Sequence, residues 1–518
     1  TRFDDVFFAN NSVNTFDGGT GSLHNRVSYA ASATGIIVNL SDKTILSVDA
    51  GRGSGGEANN DTYTNIQDLT GTAGNDTFIA SVAENILDGA GGNNTVNYGA
   101  SEAGVSVNLS ETTQDALLSL HGSGGYASGD EYKNIQNVTG SLYDDVFYGG
   151  TAANIFDGGQ GSLHNRVSYS SDTANLTINL VDGTGLGGNA EGDTYIRIQD
   201  ATGGSGADTF IASSAENKLD GGAGLDTVSY VSSDAPVTVN LSDGVLGGVG
   251  SMRGSGGYAN NDEYTSIENV IGSSGNDLFY ASSDTTALAN NFDGGGGTHN
   301  RVSYEAASNG VTVNLVTNSG SGGALGDTYI RIQDVTGGSG DDTFVLNSDA
   351  NFIDGGAGSD TVSYASVTGN VGVNVNLNTG IGSGGWAAGD TYANIENIVG
   401  SKNNDTLTGA SSGRTVLTGG AGSDILTGIA ANSANTYASY AGSAVGVTVN
   451  LLAGTGSQGD ANGDTLTNID NVIGSSGNDT FIGNAKVNIF DGGTGGTGNL
   501  GGNDTVSYAG SFGAVIAN

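Results

Sequence analysis

The stretch GGSGADTFIASSAENKLDGGAGLDTVSY, from Gly203 to Tyr230, places Asp208, Asn217 and Asp226 at the sixth position of three successive nonapeptides. Phe210, Leu219 and Val228 follow two positions later. Asp208 and Asp226 are 18 residues apart, as are Asp342 and Asp360. In a coil of 18 residues such pairs stand on one edge, one above the other. A further acid precedes the first at a constant spacing of 15: Asp61 and Asp76, Asp130 and Asp145, Asp193 and Asp208, Asp262 and Asp277, Asp327 and Asp342, Asp390 and Asp405, Asp464 and Asp479. Carboxylates stacked along one edge repel. A hard divalent cation removes that cost, and Ca2+ accepts about six to eight oxygens, main-chain carbonyls included, in loose geometry. The glycines before each acid permit the positive φ that turns carbonyls inward. The metal-ligand candidates are these fourteen acids together with Asp226, Asp360, Asp424 and Asp504.

The same segment recurs along the chain. A carboxylate followed by Thr, Val or Leu and an apolar residue stands at Asp5, Asp76, Asp145, Asp208, Asp277, Asp342, Asp405 and Asp479. That predicts about eight degenerate repeats of 61–74 residues in one continuous array, with approximate bounds 1–60, 61–129, 130–192, 193–261, 262–326, 327–389, 390–463 and 464–518. Apolar residues alternate over short runs (Val237, Val239, Leu241; Val447, Val449, Leu451) between glycine turns, and no helical period is sustained. The expected fold is all-β, a parallel β-roll or β-solenoid. LHNRVSY at Leu23 and Leu163 and THNRVSY at Thr298 alternate with GGSGADTF and GGSGDDTF, which gives a two-repeat superperiod.

GGAGLDTVS, GGAGSDTVS (from Gly355) and GGAGSDILT (from Gly419) fit GGxGxDxUx, and GSSGNDTFI and GTAGNDTFI are close to it. In these motifs the chain resembles the RTX, or haemolysin-type, calcium-binding repeat proteins. The resemblance implies parallel β-rolls with multiple Ca2+ ions between turns, secretion, often by type I export, and folding outside the cell. There are departures. The middle nonapeptide carries Asn85, Asn217 or Asn351, where weak binding or none is expected, and Asn25 and Asn94 weaken their own sites. In the HNR repeats Asn25, Asn165 and Asn300 are followed by Arg26, Arg166 and Arg301, which are expected to replace an ion beside the stacked acids.

Composition narrows the function. The 518 residues include 92 Gly, one Pro and no Cys, and 14 Lys and Arg leave a net charge of -40. That charge argues against nucleic acid as a partner, and no apolar run is long enough to span a membrane. The 20 Tyr and 15 Phe argue against disorder. No nucleophile–base arrangement is visible, and acid pairs that recur in many repeats do not read as a catalytic pair, so no enzyme is expected. Asp17, Asp88 and Asp157 read as metal-free turn caps, and His24, His164 and His299 as surface-loop residues. Tyr195, Tyr230, Tyr329 and Tyr364 read as core or edge aromatics; Tyr126, Tyr258 and Trp386 are the adhesive candidates. Both ends of the chain match the middle of a repeat, as in a stretch of a longer protein. The expected function is a calcium-stabilised structural repeat protein, secreted to the bacterial cell surface. It would serve as a surface layer, filament or adhesin stalk, with self-association or attachment to cell surface or matrix. The alternative is the calcium-binding tail of a secreted enzyme whose catalytic domain lies elsewhere; an ice-binding solenoid ranks third.

Overall fold

Glycine turns cut the apolar alternation into strands of three residues. Thr77–Ile79, Ile86–Asp88 and Thr95–Asn97 follow one another at nine-residue steps. Side chains alternate across a strand, so each strand offers one inward position. Phe78, Leu87 and Val96 fill it and are fully buried. The structure, a computed structural model, describes residues 3–282, 289–493 and 502–510. It comprises two compact units, Thr1–Val237 with Met252–Ile271 and Thr238–Ser251 with Gly272–Asn518.

Within the nonapeptide runs, consecutive strands alternate between two sheets. In the first unit, sheet I runs in parallel through Ile37–Asn39, Thr77–Ile79, Thr95–Asn97, Asn137–Thr139, Ile155–Asp157 and Thr194–Ile196. Sheet II runs through Ser106–Asn108, Val146–Tyr148, Arg166–Ser168, Asp200–Thr202, Lys218–Asp220 and Glu263–Thr265. The single bridge His121–Glu131 joins it to the ladder Val6–Phe8, Arg26–Ser28, Asp68–Thr70, Ile86–Asp88, Glu131–Lys133. Thr95 lies directly opposite Thr77, so one coil takes 18 residues. The two sheets meet through their inward side chains, as where Phe147 stacks on Phe156 at 5.6 Å. The second unit repeats this plan, with Phe279 on Phe292 at 5.9 Å and Phe481 on Phe490 at 5.3 Å. The all-β parallel solenoid is therefore the fold.

The coils are not uniformly parallel. Thr184–Leu186 runs antiparallel between Thr177–Asn179 and Thr194–Ile196, and a 3-10 turn, Gly188–Ala190, follows it. The GSGG loops fold back in this way once per repeat. Each repeat also crosses between the sheets an odd number of times, so the next begins on the opposite sheet. Thr77–Ile79 and Thr209–Ile211 lie in sheet I, but Val146–Tyr148 lies in sheet II. A given segment therefore returns to the same sheet only every second repeat, the same period as the sequence superperiod. In the second unit an extra strand, Thr436–Ser439, breaks the alternation, and Thr406–Thr408 and Thr480–Ile482 share one sheet.

Candidate metal centre

The candidate acids fall into three classes by what their oxygens touch. In the first class are Asp76, Asp145, Asp208, Asp277, Asp342, Asp405 and Asp479, all buried. The Oδ2 of each accepts the N–H of the residue four positions earlier: Thr72 for Asp76, Gly204 for Asp208 and Gly338 for Asp342, each at 2.7 Å. Ser141, Ser273, Ser401 and Ser475 serve the others. For six of them Oδ1 accepts from the residue that opens a GVTVNL-type strand: Ile36, Val105, Leu176, Val311, Val373 and Val447. These carboxylates hold the glycine turn closed from inside.

The second class is the GDT acids, Asp61, Asp130, Asp193, Asp262, Asp327, Asp390 and Asp464. Each points into the core beneath a tyrosine. Oδ2 accepts the hydroxyl of Tyr98 on Asp130 and of Tyr230 on Asp262, both at 2.7 Å, of Tyr29 on Asp61 at 2.8 Å, of Tyr304 on Asp327 at 2.6 Å and of Tyr440 on Asp464 at 2.9 Å. Tyr169–Asp193 and Tyr364–Asp390 pair likewise. Oδ1 accepts a main-chain N–H, from Asn85 onto Asp130 and from Asn217 onto Asp262. In six clusters a second tyrosine bonds the first, as Tyr264 bonds Tyr230 at 2.6 Å; in the seventh Leu466 stands there. Burial raises these carboxyls, Asp130 to about 8 and Asp193 and Asp262 to about 7, against the opposing effect of the donated hydrogen bonds. Tyr230→Phe removes the donor to Asp262 and should cost about 2 kcal/mol. Tyr264→Phe leaves that donor in place and should cost about half as much. Urea unfolding would compare them, and equal losses would contradict this order.

The acids spaced by 15 do not stack on each other, which corrects the expectation. Thr62–Thr64 and Thr77–Ile79, opened by Asp61 and Asp76, are separated in sheet I by Arg52–Ser54 and Ile37–Asn39. Three strand spacings put their carboxylates roughly 14 Å apart. The acids spaced by 18 do meet: the N–H of Asp208 donates to Asp226 Oδ1 at 2.7 Å, and that of Asp342 to Asp360 Oδ1 at 2.8 Å.

The third class is Asp226, Asp360, Asp424 and Asp504. The first three are fully buried, and the Oδ2 of each has no hydrogen-bond partner. Burial, then neighbouring acids, raises them: Asp226 to about 6 beside Asp208 and Glu268, Asp360 to about 7 beside Asp342 and Glu396, Asp424 to about 8 beside Asp464 and Asp405. Asp504 is exposed, and its Oδ1 accepts the N–H of Asp479 at 2.9 Å. A buried carboxylate oxygen without a donor calls for a positive charge. Among the described residues no three acid or imidazole side chains converge as a metal-holding group. A cation here would therefore draw chiefly on main-chain carbonyls, as Ca2+ can. The glycine turns bring those carbonyls close: Gly222 and Gly224 have φ of 89° and 137°, over the carbonyls of Gly204 and Gly206.

The remaining expectations fare variously. Asn85, Asn217 and Asn351 are tied to the main chain, each Nδ2 donating at 2.7 Å to the carbonyl of Gln67, Gln199 or Gln333. Asp17, Asp88 and Asp157 cap turns, accepting from Gly19, Ala90 and Gly159. The arginines adjoin the turn acids through the main chain, the N–H of Arg26, Arg166 and Arg301 donating to the carbonyls of Asp5, Asp145 and Asp277, but the guanidinium groups of Arg26 and Arg301 face Asp68 and Asp334 on the next strand, at 3.7 and 3.8 Å, and Arg166 is in register with Asp200. His24, His164 and His299 point at the same three aspartates at 3.3–3.4 Å, so they are anchored rather than free in loops. Tyr126 is buried with its hydroxyl on Asp42, whereas Tyr258 and Trp386 are half-buried. Sequence reasoning missed Glu268 and Glu396. The contrast of SIEN and NIEN with the NIQ and RIQ of other repeats was their signal.

The family model of the RTX calcium-binding nonapeptide repeat matches residues 67–100, 136–162, 202–230, 334–366, 410–428 and 464–497. Asp226, Asp360 and Asp424 all lie in matched segments. No curated protein matches the chain.

Proposed function

From the premise that this chain carries RTX calcium-binding repeats in six segments, we propose that it is an extracellular structural repeat protein of a bacterial cell surface, folded and stabilised by Ca2+ after secretion. The observation that carries the reading is the unpartnered, fully buried Oδ2 of Asp226, Asp360 and Asp424 inside those segments. Calcium is the cofactor, held by these three carboxylates and by carbonyls of the glycine turns above and below. Asp504 is the fourth position of the same type. The other acids brace turns and core. Ca2+ supplies positive charge where the chain has none of its own, so binding and folding are linked. Among the described residues no helix is long and apolar enough to cross a membrane. The role proposed is that of a surface layer, filament or adhesin stalk, which the electron microscopy below tests against that of an enzyme tail.

Calcium titration of the EDTA-stripped chain, followed by far-UV circular dichroism, tests this. The β signal should rise at roughly 0.1–1 mM Ca2+, the range of extracellular sites, and Mg2+ should not replace it. Electron microscopy at saturation should then show filaments or sheets. A β spectrum indifferent to EDTA would overturn the calcium reading; dispersed particles would overturn the assembly role.

A further inference from the structure

We propose that calcium dependence is confined to certain rungs of this solenoid, those in which an aspartate stands where others have asparagine, as Asp226 and Asp360 do beside Glu268 and Glu396, and that rungs built from Asn and Gln close without an ion. This rests on the calcium reading above. The turn that receives each rung is the same throughout: Asn65, Asn134, Arg197, Ser266, Arg331 and Asn394 all have φ of 49–54°. Four rungs use amides. The Nδ2 of Asn25, Asn94, Asn165 and Asn300 donates to the carbonyl of Asn65, Asn134, Arg197 and Arg331 at 2.9–3.0 Å. Their main-chain N–H groups donate to Oε1 of Gln67, Gln136, Gln199 and Gln333 at 2.9–3.1 Å.

Two rungs use acids in the same places. The N–H groups of Asp226 and Asp360 donate to Oε2 of Glu268 and Glu396 at 2.9 Å. Asp226 Oδ2 and the Ser266 carbonyl oxygen crowd one point over Gly221, as Asp360 Oδ2 and the Asn394 carbonyl do over Gly355. Asn25 Nδ2 and the Asn65 carbonyl flank the corresponding point over Gly18, where they form a hydrogen bond. The acid rungs thus set one acceptor against another and leave Oδ2 without a partner. They also replace a neutral glutamine by a second carboxylate. A buried unpaired acceptor is costly, a buried charge more so. The amide N–H provides internally the positive end that the acid rung must take from a cation.

Hydrogen exchange of the full chain at pH 8, in saturating Ca2+ and in EDTA, reads each rung separately. EDTA should lower protection by roughly tenfold or more around 226–230 and 266–271, and around 360–364 and 394–399. Residues 94–98, 134–139, 165–169 and 197–202 should hold within about twofold. Asp226→Asn with Glu268→Gln should make its own rung indifferent to EDTA while the Asp360 rung of the same molecule still responds. Asn165→Asp with Gln199→Glu should confer a response on a rung that had none. Amide and acid rungs losing protection alike would overturn this inference and leave the calcium reading standing, as would a converted rung that stays sensitive. No response in either class would overturn both.

Discussion

In EDTA, thermal stability should fall as pH rises from 5 to 8.5. Among the carboxyls responsible are Asp130, Asp193 and Asp262, buried beneath Tyr98, Tyr169 and Tyr230, and Asp226, Asp360 and Asp424 act in the same sense. Burial raises Asp130 to about 8 and Asp193 and Asp262 to about 7, whereas an aspartate in the unfolded chain titrates near 4. Between those values the folded chain holds protons that the unfolded chain has released. Stability therefore declines with pH in that window, the reverse of an aspartate in a salt bridge. The contribution is complete below about pH 4, declines at up to about 1.4 kcal/mol per pH unit and per carboxyl, and levels off above the folded values. Replacing Asp130, Asp193 and Asp262 by Asn removes three of the titrating groups and keeps an acceptor for each main-chain N–H. The variant should show a flatter profile in scanning calorimetry. A profile as steep as that of the parent would place the dependence elsewhere.

Gly222→Ala should cost about 2–5 kcal/mol in the calcium-loaded chain. Gly222 has φ of 89°, a region that costs a residue with a Cβ about 1–2 kcal/mol. Its Cβ would press against the carbonyl oxygen of Gly204 on the turn below. That oxygen is backbone, so the turns must part, and overpacking of this kind costs about 1–3 kcal/mol. Gly244 is the control: a Cβ there meets nothing within 4 Å, so Gly244→Ala should be neutral or stabilise by a few tenths of a kcal/mol. Urea unfolding of both in saturating Ca2+ gives the comparison. Equal midpoints would show that the turn spacing is not set by the absence of a Cβ.

The sequence by itself determined the 18-residue coil, the short strands between glycine turns and the inward residue of each. Those follow from local chemistry: a glycine turn, then period-two alternation, then another turn. It also determined which aspartates stack along one edge, Asp208 with Asp226 and Asp342 with Asp360, because those pairs are joined by one uninterrupted coil. It did not determine the place of Asp61 relative to Asp76. Constant spacing in sequence measures distance in space only while the chain keeps winding one way. Between repeats the chain doubles back, and two hairpin strands come between the acids. The tertiary structure alone brought Tyr230 over Asp262, and Glu268 to the main chain of Asp226 across 42 residues. It also decided which buried carboxylate oxygens are left without a donor. A donor's identity is written in the sequence, but whether it reaches a given oxygen depends on the strand that the fold lays beside it. Asp208 spends both oxygens on backbone N–H groups, and Asp226, one coil on, keeps one free.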